Sequence, residues 1–85
     1  MSATKSKIIK IIIADDHPLF RRGLKHALEE TSDIEVIGES SNGDDLLSLV
    51  KDFTSDMILL DIAMPGKSGL DLLKQLKNEY PKLPI

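Results

Sequence analysis

An α/β domain built on a parallel sheet is the fold this sequence predicts, on three observations. Residues 8–14, IIKIIIA, form a nearly continuous apolar run, the pattern of a strand buried on both faces. The apolar residues that follow recur at helical spacing, with charges opposite them. The two patterns then alternate along the chain in the order β-α-β-α-β-α, which calls for right-handed crossovers between parallel strands.

The elements can be justified in turn. In PLFRRGLKHALEE, residues 18–30, Phe20, Leu24, Ala27 and Leu28 fall on one helical face. Pro18 suits the first turn, where its missing N–H costs nothing. IEVIGES, residues 34–40, reads as a second, partly alternating strand. SNGDDLLSLVKDF follows as a helix with Leu46, Leu47, Val50 and Phe53 inward and Ser41 or Asn42 as its cap. MILLD, residues 57–61, is a third, short buried strand. After IAMPGKS comes a third helix, GLDLLKQLKNEY, facing inward with Leu72, Leu73, Leu76 and Tyr80. Pro81 and Pro84 close it, and LPI reads as the first residues of a fourth strand. Strand starts recur about every 23 to 26 residues, but the units share no residue signature, so a repeat solenoid is disfavoured.

Composition bounds the rest. The chain has 85 residues, 41% hydrophobic and 29% charged, a globular balance with room for one domain. A net charge of −3 gives no footprint for nucleic acid, and the lack of cysteine excludes thiolate chemistry and disulfides. That is consistent with a reducing, cytoplasmic setting. No run approaches the roughly 18 apolar residues of a membrane span. The lysines before the first apolar run imitate a signal peptide, but Lys10 interrupts the run and two aspartates end it. Residues 1–7 are expected to be a flexible tail leading into the first strand.

Two stretches could carry chemistry. Gly66-Lys67-Ser68 looks like the end of a phosphate-cradling P-loop, G-x-x-x-x-G-K-[ST]. The place of the first glycine is taken by Asp61, whose carboxylate would repel phosphate, and Pro65 lacks an N–H to offer. The P-loop reading therefore fails. The second candidate is acidic: Asp15 and Asp16 close the first strand, and Asp61 closes the third. Ligand sites in open parallel sheets lie outside the carboxyl ends of the strands. If strands one and three are neighbours, their ends lie about 5 Å apart and the three carboxylates share one crevice. Unpaired, they would resist ionisation together; a hard divalent cation such as Mg²⁺ removes the conflict. The plainer alternative is that Asp15 and Asp16 cap the first helix while Asp61 merely ends a strand.

IIIADDHPLFRRGLKHAL and MILLDIAMPGKSGLDLL resemble the receiver domain of two-component response regulators, in particular the NarL/FixJ, or LuxR-type, branch. The resemblance runs from about residue 8 to residue 85. It implies a flavodoxin-like fold of five strand-helix units with sheet order 2-1-3-4-5, of which this sequence holds 2-1-3 and the start of strand four. It also implies that Asp61 is the phosphoacceptor, taking a phosphoryl group from a phosphohistidine on a sensor histidine kinase. Asp16 would bind Mg²⁺ directly, Asp15 largely through water, and the backbone carbonyl of Ala63 would complete the metal's protein ligands. In this branch a C-terminal helix-turn-helix domain, absent from this sequence, usually binds DNA and regulates transcription. The protein would thus be a phosphorylated switch, with any enzymatic activity ancillary.

From first principles, Met64-Pro65 would fix the loop beside Asp61, while Gly66 and Gly69 give the backbone room to turn. Lys67 is taken as solvated, His17 as structural, His26 as exposed, and Arg21, Arg22 and Lys25 as a solvated basic face or a kinase contact. The family's strand-four hydroxyl and strand-five lysine lie beyond residue 85. The sequence is therefore expected to be part of a longer regulator, with MILLD as an apolar sheet edge through which two copies could dimerise or swap elements. Two other functions compete: a Mg²⁺-dependent aspartyl phosphotransferase, which wants D-x-D after its first strand, and a receiver-like domain used only for protein contacts.

Overall fold

A computed structural model describes residues 8–64 and 68–85. Three strands, β1 (Ile9–Ala14), β2 (Ile34–Ser40) and β3 (Met57–Leu60), alternate with three helices, α1 (Pro18–Glu29), α2 (Gly43–Asp52) and α3 (Gly69–Glu79). The sheet is parallel with order β2-β1-β3, the first three strands of the flavodoxin-like receiver arrangement. β1 is central, and its apolar residues serve both faces. Ile12 and Ala14 enter one core with Leu46 and Val50 of α2, Ile58, Met64, and Leu72 and Leu76 of α3. Ile11 and Ile13 enter the other with Val36, backed by Leu24 and Leu28 of α1. Burial on both faces begins at Ile11; Ile8 and Ile9, at the amino end of the strand, are exposed.

The β1–β2 register shifts between Ile11 and Ile12, so that Ile11 pairs with Val36 but Ile12 with Gly38. At this bulge the Val36 amide donates to Glu29 Oε2 of α1 at 3.0 Å, which satisfies an N–H the ladder has released. Asn42 caps α2, accepting from the Asp45 amide at 2.9 Å, and Ser68 caps α3, accepting from the Asp71 amide at 3.5 Å. Beyond α3, the Ile58 amide donates to the Pro84 carbonyl at 3.0 Å. Ile85 packs against the α2–α3 core.

The helical faces depart from expectation at their aromatic and small residues. Phe20 is 61% exposed and Ala27 is exposed, and no residue of α1 is fully buried. Among the described residues α1 is the one helix on its side of the sheet, so its apolar stripe is only partly covered. Phe53 is 52% exposed because it is the C-cap of α2, where extended backbone turns its side chain off the helical stripe.

Gly69 explains how α3 can start so close to the end of β3. A Cβ at this position would lie 2.1 Å from the Ile62 carbonyl oxygen, an overlap with backbone that no rotamer relieves. Gly69→Ala is expected to destabilise the chain by about 1–3 kcal/mol or more, as overpacking against rigid backbone does. Urea unfolding followed by circular dichroism measures it.

Candidate functional site

Pairing of β1 with β3 (Ile12 with Ile58, Ile13 with Leu59, Ala14 with Leu60) sets the two carboxyl ends side by side. The Asp61 amide then donates to the Ala14 carbonyl at 2.8 Å, carrying the pairing one step past the strands. Asp15 is anchored on the other side, its amide donating to the Ser40 carbonyl of β2 at 3.0 Å. The outcome is the acidic crevice expected from the sequence. One oxygen from each of Asp15, Asp16 and Asp61, with one ring nitrogen of His17, lie within 4.8 Å of one another.

The loops leaving both strands turn in the same way. Asp15 Oδ1 accepts the His17 amide at 2.8 Å, and Asp61 Oδ1 accepts the Ala63 amide at 2.9 Å. Each aspartate thus closes an Asx turn on the residue two positions on. The turns leave Asp15 almost buried and Asp61 partly exposed, its side chain 23% accessible. Asp16 Oδ1 is buried without a hydrogen-bond partner, although a nitrogen of His17 lies 3.0 Å away at an unfavourable angle. An orphaned carboxylate oxygen facing two more carboxylates is a donor set of hard oxygens, which fits a hard divalent cation such as Mg²⁺.

Two residues taken from the sequence as peripheral belong to this site. His17 Nδ1 contacts Asp15 Oδ1 at 3.1 Å and lies 3.7 Å from Asp61 Oδ2. The hydrogen bond to Asp15, with the charges of Asp16, Asp15 and Asp61 added, raises the His17 pKa above its ordinary value. Arg21 does not point into solvent: its guanidinium donates to the Asp15 carbonyl and, at 3.1 Å, to Glu39 Oε1 of β2. Lys25 joins the same glutamate at 3.5 Å, so two members of the presumed solvated face hold α1 to the sheet. The adjacency of His17 to two aspartates was the available signal for the first. The partnership of Arg21 and Glu39, 18 positions apart, had none.

His26 is exposed as expected, beside Glu30 at 3.7 Å. Ala63 lies two residues past Asp61, and the contact it makes with that side chain is through its amide. Met64 is buried in the core and anchors the loop, as anticipated, while Pro65, Gly66 and Lys67 lie outside the described residues. The site opens on a cleft of about 720 Å³ between α1 and the outer edge of β3, walled by Ile13, Leu24, Leu59 and Ile85.

The family model of the response regulator receiver domain matches residues 11–85. The chain belongs to that family. Within it, the relatives of this receiver domain include NarL of Escherichia coli K12, a nitrate/nitrite response regulator, 42% identical over 69 residues. That match covers 81% of this chain and 32% of NarL. The response regulator GacA of Pseudomonas aeruginosa is 32% identical over 78 residues, covering 92% of this chain and 36% of GacA. The chain thus spans about a third of the length of these relatives. The non-phosphorylated receiver domain of the stress response regulator RcsB from Escherichia coli superposes with a TM-score of 0.85 at 30% identity, covering 91% of this chain and 61% of that one. RcsB of Salmonella typhimurium gives 0.86 at 30% identity, covering 92% and 40%. The receiver domain therefore sits in the NarL and RcsB, or LuxR-type, branch, as its motifs suggested. No helix among the described residues is long and apolar enough to cross a membrane.

The charge around His17 has a direct readout. Its ring should titrate above the ordinary histidine value of about 6.5, and Asp15→Asn should return it toward that value. NMR titration of the ring protons measures both.

Proposed function

We propose that this receiver domain is a phosphoacceptor switch, with Asp61 as the residue phosphorylated and Asp15, Asp16 and Asp61, with the Ala63 backbone carbonyl, holding Mg²⁺. The single observation that supports it is the β1–β3 pairing, which delivers a partly exposed Asp61 beside two other strand-end carboxylates. An Asp61 carboxylate oxygen attacks phosphorus of a phosphohistidine on a sensor kinase. The P–O bond forms as the P–N bond breaks, its electron pair passing to the imidazole, which takes up a proton. Mg²⁺ held there would supply charge neutralisation for the transfer. Asp16, whose Oδ1 is unpartnered, would hold the cation with Asp61 and the Ala63 backbone carbonyl, and Asp15 would do so largely through water. The Asp61–Ala63 turn holds the nucleophile in place, and Met64 ties that turn to the core. Arg21 keeps the Asp15 backbone fixed.

The domain acts, in this proposal, as residues 8–85 of a longer cytoplasmic regulator whose output domain binds DNA and controls transcription. NarL and GacA are longer response regulators, and RcsB has been solved as a complex with DNA. Self-association of the 85-residue chain is assigned to the outer edge of β3, beside the apolar cleft, where Pro84 makes one backbone bond to Ile58.

Incubation with acetyl phosphate and Mg²⁺ tests the chemistry. Intact-mass measurement should show one phosphoryl adduct that disappears with EDTA and in Asp61→Asn; an adduct surviving in Asp61→Asn places the acceptor elsewhere. Asp16→Asn should weaken Mg²⁺ binding by roughly tenfold or more, read by calorimetry. Multi-angle light scattering should show a concentration-dependent dimer; a stable monomer at millimolar chain removes the edge-pairing assignment.

A further inference from the structure

His17 is 68% exposed along its side chain, yet Nδ1 stands against the acidic crevice. It lies 3.1 Å from Asp15 Oδ1, 3.0 Å from Asp16 Oδ1 and 3.7 Å from Asp61 Oδ2, so one atom stands among the three carboxylates. The backbone of the residue is fixed independently. Its amide donates to Asp15 Oδ1 at 2.8 Å, and its carbonyl accepts the Arg21 amide at 2.9 Å as the first bond of α1. The side chain makes no capping bond to the helix, so turning it outward costs α1 nothing.

We propose that the His17 ring is a displaceable plug in the metal seat, so that a divalent cation enters the carboxylate crevice only as the ring swings out. The inference rests on the proposed reading of that crevice as a Mg²⁺ site. Carboxylates accept hydrogen bonds, so the contact with Asp15 requires Nδ1 to carry the proton. A protonated nitrogen has no lone pair for a metal, and Mg²⁺ in any case favours oxygen ligands and water. The ring nitrogen and the cation therefore compete for the same oxygens and do not share them. Because the solvent side of the ring is open, release needs rotation about the side chain alone. Removing the plug tightens metal binding instead of weakening it, the reverse of what loss of a ligand would do.

The test is Mg²⁺ titration of the 85-residue chain at fixed ionic strength, by calorimetry and by ¹H–¹⁵N NMR, in the natural sequence and in His17→Ala. Matching circular dichroism spectra establish that both fold. Expected is an affinity higher in His17→Ala by roughly three- to tenfold, the scale of one hydrogen bond exchanged for water. Expected too is that the His17 ring resonances move toward those of exposed His26 as Mg²⁺ saturates. Equal or weaker binding in His17→Ala overturns the plug while leaving the metal site intact. Ring resonances that stay in place at saturation overturn it as well. If neither protein takes up Mg²⁺, the metal-site reading falls and the plug falls with it.

Discussion

The parallel contact between β1 and β3 is the constraint on which the rest of this structure depends. It is made by short apolar strands whose side chains are divided between two cores, so a slip by one residue would exchange the side chains packed in each core. The same register that satisfies the cores fixes which residues stand at the carboxyl ends. Hydrophobic packing therefore performs an electrostatically unfavourable act: it brings three carboxylates into one crevice. The repulsion is met locally by two backbone amides and by the His17 ring, and by no arginine or lysine aimed at the carboxylates among the bonds described.

Much of this was legible in the sequence because its signals are local. A run of isoleucines, three helical stripes, and acidic residues at the ends of apolar runs sufficed for the element order; the sheet order, and with it the meeting of Asp15, Asp16 and Asp61, came from the family resemblance. Asn42 was legible as a cap for the same reason, since its bond reaches only three residues on. What escaped depends on contacts between distant segments or on where a stripe stops. Phe53 continues the periodicity of α2 but lies one residue past it, where the backbone is extended. Phe20 is on the apolar face of α1, but that face is only partly covered by the described residues. Arg21 was read as part of a solvated face or a kinase contact because Glu39 and the Asp15 carbonyl become its neighbours only once α1 has crossed over the sheet.

The loops divide their work between chemistry and structure. Between β3 and α3, Asp61 stays accessible while Met64, three residues on, is buried with Leu72 and Leu76. The chain then returns so closely that Gly69 touches the backbone of Ile62. Between β1 and α1, Asp15 is held from three directions, by Ser40, His17 and Arg21. Asp15 and Asp61 thus project from backbone anchored in a packed core, as a site requiring fixed geometry demands.

The twin Asx turns also set a length standard for the crevice. An aspartate reaches the amide two residues on because its carboxyl group is one carbon from Cα, which closes a ring the size of a backbone turn. Asp15 and Asp61 each commit one oxygen to that closure. A glutamate has the same charge and the same donor atoms, but its extra methylene closes a larger, looser ring and carries the second oxygen past its place. Side-chain reach, as much as charge, is therefore encoded at these strand ends. The acidic residues here act as measured spacers, and two residues equal in electrostatics are unequal as parts.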